Sequence, residues 1–121
     1  MQQPAELKTA LEAHLKALAA RPEWQAGLYA PMSYILDLGG KRIRPMLLLM
    51  SYQAMAGRDG TEALNCATAV EFFHNFSLIH DDIMDNAPVR RGKQTVHEKW
   101  NVNTAILSGD AMFAMAYEFL I

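Results

Sequence analysis

Asp81, Asp82 and Asp85 place three carboxylates within five residues. On a helix Asp81 and Asp85 share one face, with Asp82 about 100° round. Exposed like charges so spaced repel by roughly a few tenths of a kcal/mol per pair. They also fall in the last turn of their helix, where the helix dipole disfavours negative charge. A bound divalent cation accounts for an arrangement that stability does not. The donors are all oxygen, with no cysteine nearby and only His80 adjacent, which favours a hard ion such as Mg2+ over zinc or copper. Taken alone, the same three residues also suit a solvated acidic helix end.

The surrounding cations change that balance. Arg90-Arg91-Gly92-Lys93 follows shortly after Asp85. Guanidinium groups bind phosphate oxygens in bidentate fashion, and a glycine lets the backbone approach closely. Upstream, Gly39-Gly40-Lys41-Arg42-Ile43-Arg44-Pro45 sets three cations before a helix start, where the positive end of the dipole also attracts anions. By itself such a run is an ordinary basic loop. His74 stands seven residues before Asp81, two turns down the same face, at a separation of roughly 10 Å. That is about the spacing of two neighbouring diphosphates, and we assign His74 a phosphate contact. His80 and His97 are read as structural.

These groups need a scaffold, and the composition suits one folded domain. Of the 121 residues, 51% are hydrophobic and 20% charged, a balance that excludes a disordered chain. A formal net charge of −2 gives no global pull towards nucleic acid or anionic membranes, so an anion site must be local. Cys66 is the only cysteine, which excludes an intrachain disulfide and a four-cysteine zinc site. The N-terminus lacks the basic start and apolar run of a secretory signal, and the longest apolar run, Met46 to Met50, is too short to span a bilayer. The expected setting is a reducing cytoplasm.

Helical periodicity dominates and predicts an all-α antiparallel bundle. A first helix is expected from Pro4 to about Ala20, with Leu7, Ala10, Leu11, His14, Leu15 and Leu18 as its apolar stripe and Arg21-Pro22 as its stop. A second covers Ala30 to Leu38 and ends at Gly39-Gly40. A third runs from Pro45 to about Ala56, so apolar that it should be buried on most sides. After a turn at Gly57–Gly60, Thr61 should cap a long helix reaching Asp85. Asn86-Ala87-Pro88 breaks it, and Val89 to Thr95 is expected as a basic loop. A last helix starts at Asn103 or Thr104 and is still running at Ile121 without a C-cap signal. The expectation is one incomplete domain over residues 1–121, the N-terminal part of a larger fold.

The blocks GGKRIRP, EFFHNFSLIHDDIMDNAPVRRGKQTVH and NTAILSGDAMF together resemble the front half of trans-type polyprenyl diphosphate synthases, which include farnesyl and geranylgeranyl diphosphate synthases. The blocks keep that family's order and spacing over roughly Leu38 to Phe113. The resemblance implies an isoprenoid-synthase helical bundle, homodimeric when entire. It condenses an allylic prenyl diphosphate with isopentenyl diphosphate, with Mg2+ as cofactor.

It also implies roles for particular residues. Asp81 and Asp85 would hold Mg2+ on the allylic diphosphate, Asp82 would support them, and Arg90 would contact that diphosphate, the four together serving ionisation. Lys41, Arg44, His74 and Arg91 would hold isopentenyl diphosphate; Arg42 is less securely assigned, and Lys93 would add positive field. Phe76 and Ser77, five and four residues before Asp81, would set product length, as in short-chain farnesyl or geranylgeranyl synthases. Phe72 is expected in the core. The family's second aspartate-rich motif and its downstream basic element are absent from these residues, so negligible turnover is expected of this chain alone.

Three other functions compete. A noncatalytic regulatory subunit would be free to lose Asp81, Asp82 and Asp85, which are intact. A terpene cyclase binds one diphosphate and has no need of GKRIRP with His74. A plain helical interaction module would leave three polar blocks unexplained.

Overall fold

The computed structural model describes residues 2–21 and 27–121. Pro4 opens α1 (Pro4–Ala19), where its missing N–H is one that no helix would pair. Gln3 and Glu6 form a reciprocal capping box across that start. Leu7, Leu11, Leu15 and Leu18 recur at three- and four-residue spacing and are all buried, while His14 beside them is half-buried. Pro22, read as the stop of this helix, lies outside the described residues.

Helix α2 (Tyr29–Asp37) buries Pro31, Met32, Ile35 and Leu36. The chain then turns through Gly39 and Gly40, whose φ values of 76° and 139° suit glycine. Helix α3 (Ile43–Ala56) begins two residues earlier than Pro45 and ends at Gly57 in the left-handed region. The cap of the next segment is Asp59 rather than Thr61. Its carboxylate accepts the Thr61 N–H at 2.9 Å and starts a 3-10 turn, Gly60–Ala63, that leads into α4 (Leu64–Met84).

The expected basic loop is instead a hairpin. Strand β1 (Val89–Arg90) pairs antiparallel with β2 (Lys93–Gln94), and Arg91-Gly92 between them has φ of 51° and 76°. Two positive φ values are what a two-residue hairpin turn requires. A short helix α5 (Val96–Lys99), not anticipated from the sequence, precedes α6 (Val102–Leu120). Asn101 caps α6 by accepting the Thr104 N–H at 2.7 Å.

Helices α4 and α6 make the most extensive pairing of the fold. Phe72, fully buried as expected, stands edge-on to Phe119 with ring centres 5.0 Å apart. Ile79 on α4 and Ala105 and Met112 on α6 join Leu7, Leu11, Met32, Ile35 and Leu49 in one core. Each large side chain so buried contributes about 1.5–3 kcal/mol.

Helix α3 departs from expectation. Only Pro45 and Leu49 are buried on it, while Leu47 is 59% and Met55 88% exposed. A nearly all-apolar run carries no periodic contrast, so its sequence does not tell a surrounded helix from one with an open face. Among the described residues no helix is long and apolar enough to cross a membrane.

Candidate functional site

At the C-terminal end of α4 the three aspartates divide. Asp82 turns inward and is 5% exposed. Arg90 on β1 grips it, donating Nε to Oδ2 and Nη2 to Oδ1 at 2.8 Å each. This bidentate pair raises the already high pKa of Arg90, chiefly through the hydrogen bonds to Asp82. Asp81 and Asp85 are exposed, and among the described residues neither side chain makes a hydrogen bond or ion pair. No cluster of three or more His, Cys, Asp or Glu suited to a metal ion occurs among the described residues. Two unpaired carboxylates one turn apart fit Mg2+, which binds through one or two carboxylates and completes its shell with water and substrate phosphate.

A second group gathers around the start of α3. Gly40, Lys41, Arg42, Ile43, Arg44, Glu71, His74 and Arg91 line one pocket of about 320 Å3. Here the glycine-rich loop, α4 and the hairpin turn meet. A Cβ on Gly40 would lie 2.8 Å from Nη2 of Arg91, so the absent side chain makes room for that guanidinium. The hairpin is pinned from below, with Tyr34 Oη donating to Gln94 O at 2.6 Å and Thr95 Oγ1 to Ala87 O at 2.8 Å. Arg44 Nη1 lies 3.4 Å from His74 Nε2. Burial, then Arg44, and after it Arg91 and Arg90, push the His74 pKa down, against an opposing pull from Glu71. The ring is therefore neutral at pH 7, able to accept from Arg44 or to take up a proton beside an anion.

A third space is apolar. Ala69, Val70, Phe73, His74, Ser77, Ala116, Tyr117 and Leu120 surround a cavity of about 370 Å3, with Arg44 at its edge. Phe73, Ser77 and Asp81 follow one another at four-residue spacing on α4. Ser77 donates its hydroxyl to His74 O at 2.6 Å. Arg44 and His74 line both this cavity and the cationic pocket, so the two spaces share a wall.

The sequence matches the polyprenyl synthetase family over residues 25–121. The chain belongs to that family. A geranylgeranyl pyrophosphate synthase of Geoglobus acetivorans is 48% identical over 94 residues, 78% of this chain and 29% of the relative. A farnesyl diphosphate synthase of Geobacillus stearothermophilus is 44% identical over 117 residues, 95% of this chain and 39% of the relative. A crystal structure of geranylgeranyl pyrophosphate synthase superposes with a TM-score of 0.90 at 56% identity, over 98% of this chain and 36% of that one. The chain thus spans about a third of the length of these relatives.

Within this polyprenyl synthetase chain some cations take other work. Arg42, one of three cations expected to cradle an anion, is buried and held by Glu12 at 2.7 Å and Leu36 O at 2.8 Å, with Glu71 at 3.4 Å. Its φ of 55° is left-handed, a conformation costing a non-glycine residue about 1–2 kcal/mol. Lys93 is exposed on β2 and lines none of these spaces. His80 packs against Gly109, where a Cβ would fall 2.6 Å from its Nε2, and lies 3.2 Å from Ile106 O. His97 is buried, and among the described residues neither ring nitrogen is hydrogen-bonded. Phe76 does not line the apolar cavity; it packs against His80, Phe73 and Phe113, while Ser77 does line it.

Sequence reasoning missed Glu71, Phe73 and Tyr117. Glu71 carries a signal, a lone acid in an apolar run three residues before His74. Phe73 carries another, its four-residue step to Ser77 and Asp81.

Proposed function

We propose that this chain forms the front wall of a prenyltransferase site. An allylic prenyl diphosphate would sit at Asp81 and Asp85 through Mg2+. Isopentenyl diphosphate would sit in the pocket of Lys41, Arg44, His74 and Arg91. The product would be a longer trans-polyprenyl diphosphate of farnesyl to geranylgeranyl length, with diphosphate released.

One observation carries this reading: Arg44 on α3 and His74 on α4 line both a cationic pocket and an apolar cavity, and α4 ends in two unpaired carboxylates. Diphosphate and hydrocarbon need those two environments side by side. Mg2+ held by Asp81 and Asp85 would supply charge stabilisation to a departing diphosphate. Arg90 Nη1, which makes no hydrogen bond among the described residues, would add a donor there, its other nitrogens being fixed by Asp82. Phe73, Ser77 and Tyr117 would exclude water from the allylic cation and bound the growing chain. The proton lost after condensation would leave with diphosphate, so no strong protein base is required.

Only one DDxxD motif occurs in these 121 residues. The metal-binding wall opposite it would have to come from elsewhere, and we expect negligible turnover from this chain alone. The α6 side chains Ile106, Leu107, Phe113 and Tyr117 are exposed and would be covered in a homodimeric enzyme.

The test has two arms. Mn2+ added to the isotope-labelled chain should broaden amide signals around Asp81 and Asp85, and Asp81→Asn with Asp85→Asn should abolish the effect. Broadening that survives both changes would remove the metal assignment. The polypeptide from the complete reading frame, given both substrates and Mg2+, should yield extractable products of fifteen or twenty carbons, about three or four isoprene units. Products of another class, or none, would overturn the prenyltransferase reading.

A further inference from the structure

We propose that Glu71 is a positioning residue for the cationic pocket, acting through Arg42 to hold Lys41 and Arg44 where a diphosphate can reach them. The proposal rests on reading that pocket as a diphosphate site.

Arg42 lies between Lys41 and Arg44 in sequence, yet its side chain runs the opposite way, into the protein. Its nitrogens meet α1 at Glu12 (2.7 Å), the end of α2 at Leu36 O (2.8 Å) and α4 at Glu71 (3.4 Å). Arg42 is also the residue before α3, in left-handed backbone without a side-chain cap. Nothing in an arginine favours that conformation, so the bonds at the far end of its side chain must hold it. If they are lost, φ can relax to ordinary values. Exposed Lys41, just before it, and exposed Arg44, two residues after it, then change direction with it.

Glu71 is the buried end of this tie. One carboxylate oxygen accepts Asn75 Nδ2 at 2.8 Å and faces Arg42 Nη1. The other oxygen is buried and has no hydrogen-bond partner among the described residues. A neutral glutamine would satisfy Asn75 equally well and would leave an unpaired amide there rather than an unpaired charged oxygen, the less costly of the two. Packing alone therefore gives no reason for a carboxylate here, whereas an anchor for a buried guanidinium does.

Glu71 also lines the pocket with Lys41, Arg44, His74 and Arg91, and the alternative is that it merely offsets their charge. The two roles predict opposite signs. Removing a simple counter-charge leaves the pocket more positive and tightens anion binding. Removing a positioning anchor loosens it.

The experiment titrates inorganic diphosphate into the labelled chain, following the amides of Lys41 to Arg44 and the His74 ring by NMR, which reads weak affinities. Glu71→Gln and Arg42→Lys should each weaken binding roughly tenfold. The double variant should be no weaker than the worse single one, because Glu71 acts only through Arg42. Unchanged or tighter binding by Glu71→Gln overturns the proposal, and so do losses that multiply in the double variant. If Glu71→Gln loses the dispersed signals of Phe72 and Met112, Arg42→Lys alone decides, and unweakened binding there overturns it equally. Lys41→Ala separates the underlying reading. If it has no effect, or the unaltered chain does not bind, the pocket is no diphosphate site and the positioning role falls with it.

Discussion

Arg90 and Asp82 are locked by two parallel hydrogen bonds of 2.8 Å, which ties the hairpin to the last turn of α4. Asp82 is buried and the Arg90 side chain only a quarter exposed, so removing either partner leaves a charge poorly solvated. Asp82→Asn or Arg90→Gln should therefore lower stability by about 2–3 kcal/mol, less than for a fully enclosed pair because water reaches Arg90. Asp81→Asn, at an exposed and repelled carboxylate, should stay within about 0.5 kcal/mol. Urea unfolding midpoints measure both, and equal effects at Asp81 and Asp82 would contradict this division of the motif.

That division was half legible in the sequence. Helical spacing puts Asp81 and Asp85 on one face and Asp82 elsewhere, but not which face meets protein, because the partner of Asp82 comes from a hairpin the sequence did not announce. Arg91-Gly92 reads as part of a basic loop, since arginine at positive φ is not an ordinary turn signal. The inward turn of Arg42 is hidden for a similar reason: adjacent cations look alike until the backbone turns one of them inward. The helices were legible because leucines at three- and four-residue spacing leave few alternatives, as on α1. The open face of α3 was not, because a nearly unbroken apolar run has no face to read.

The contact between Gly109 and His80 yields a prediction whose sign depends on background. Gly109 is helical without positive φ, so alanine there gains about 1 kcal/mol of helix propensity. The new Cβ would fall 2.6 Å from His80 Nε2, a ring held edge-on by Phe76 at 4.8 Å. Overpacking of this kind costs about 1–3 kcal/mol. Gly109→Ala should therefore destabilise the chain by about 1 kcal/mol, yet stabilise a His80→Ala background by about the same amount. Thermal melts of the four proteins decide it, and a destabilising effect in both backgrounds would show that His80 is not the obstacle.

Exposed apolar side chains on α3 and α6 should make the chain self-associate. Leu47 is 59% and Leu107 53% exposed, each beside other exposed apolar residues on its helix. Leu47→Lys with Leu107→Lys should shift sedimentation towards the monomer while changing stability by no more than about 0.5 kcal/mol per site. A monodisperse monomer before any substitution would remove the basis for a covered face.

His74 should make both stability and anion binding depend on pH. Burial first, then Arg44, with Arg91 and Arg90 behind it, hold its ring below the ordinary value of 6.5, and Glu71 opposes them only in part. The unfolded chain therefore takes up the proton before the folded one as pH falls. Stability is fully present above pH 6.5 and is lost as pH drops through the folded-state value. His14 shifts in the same direction, by burial and then Arg21, so His74→Gln should remove part of this slope and leave part. Bound diphosphate offsets Arg44 and Arg91, so it should raise the His74 midpoint and be taken up together with a proton. Ring signals followed by NMR across pH 5 to 8, about the range over which imidazole titrates, test both statements. A His74 midpoint at or above 6.5 in the free chain, or one unmoved by diphosphate, would contradict them.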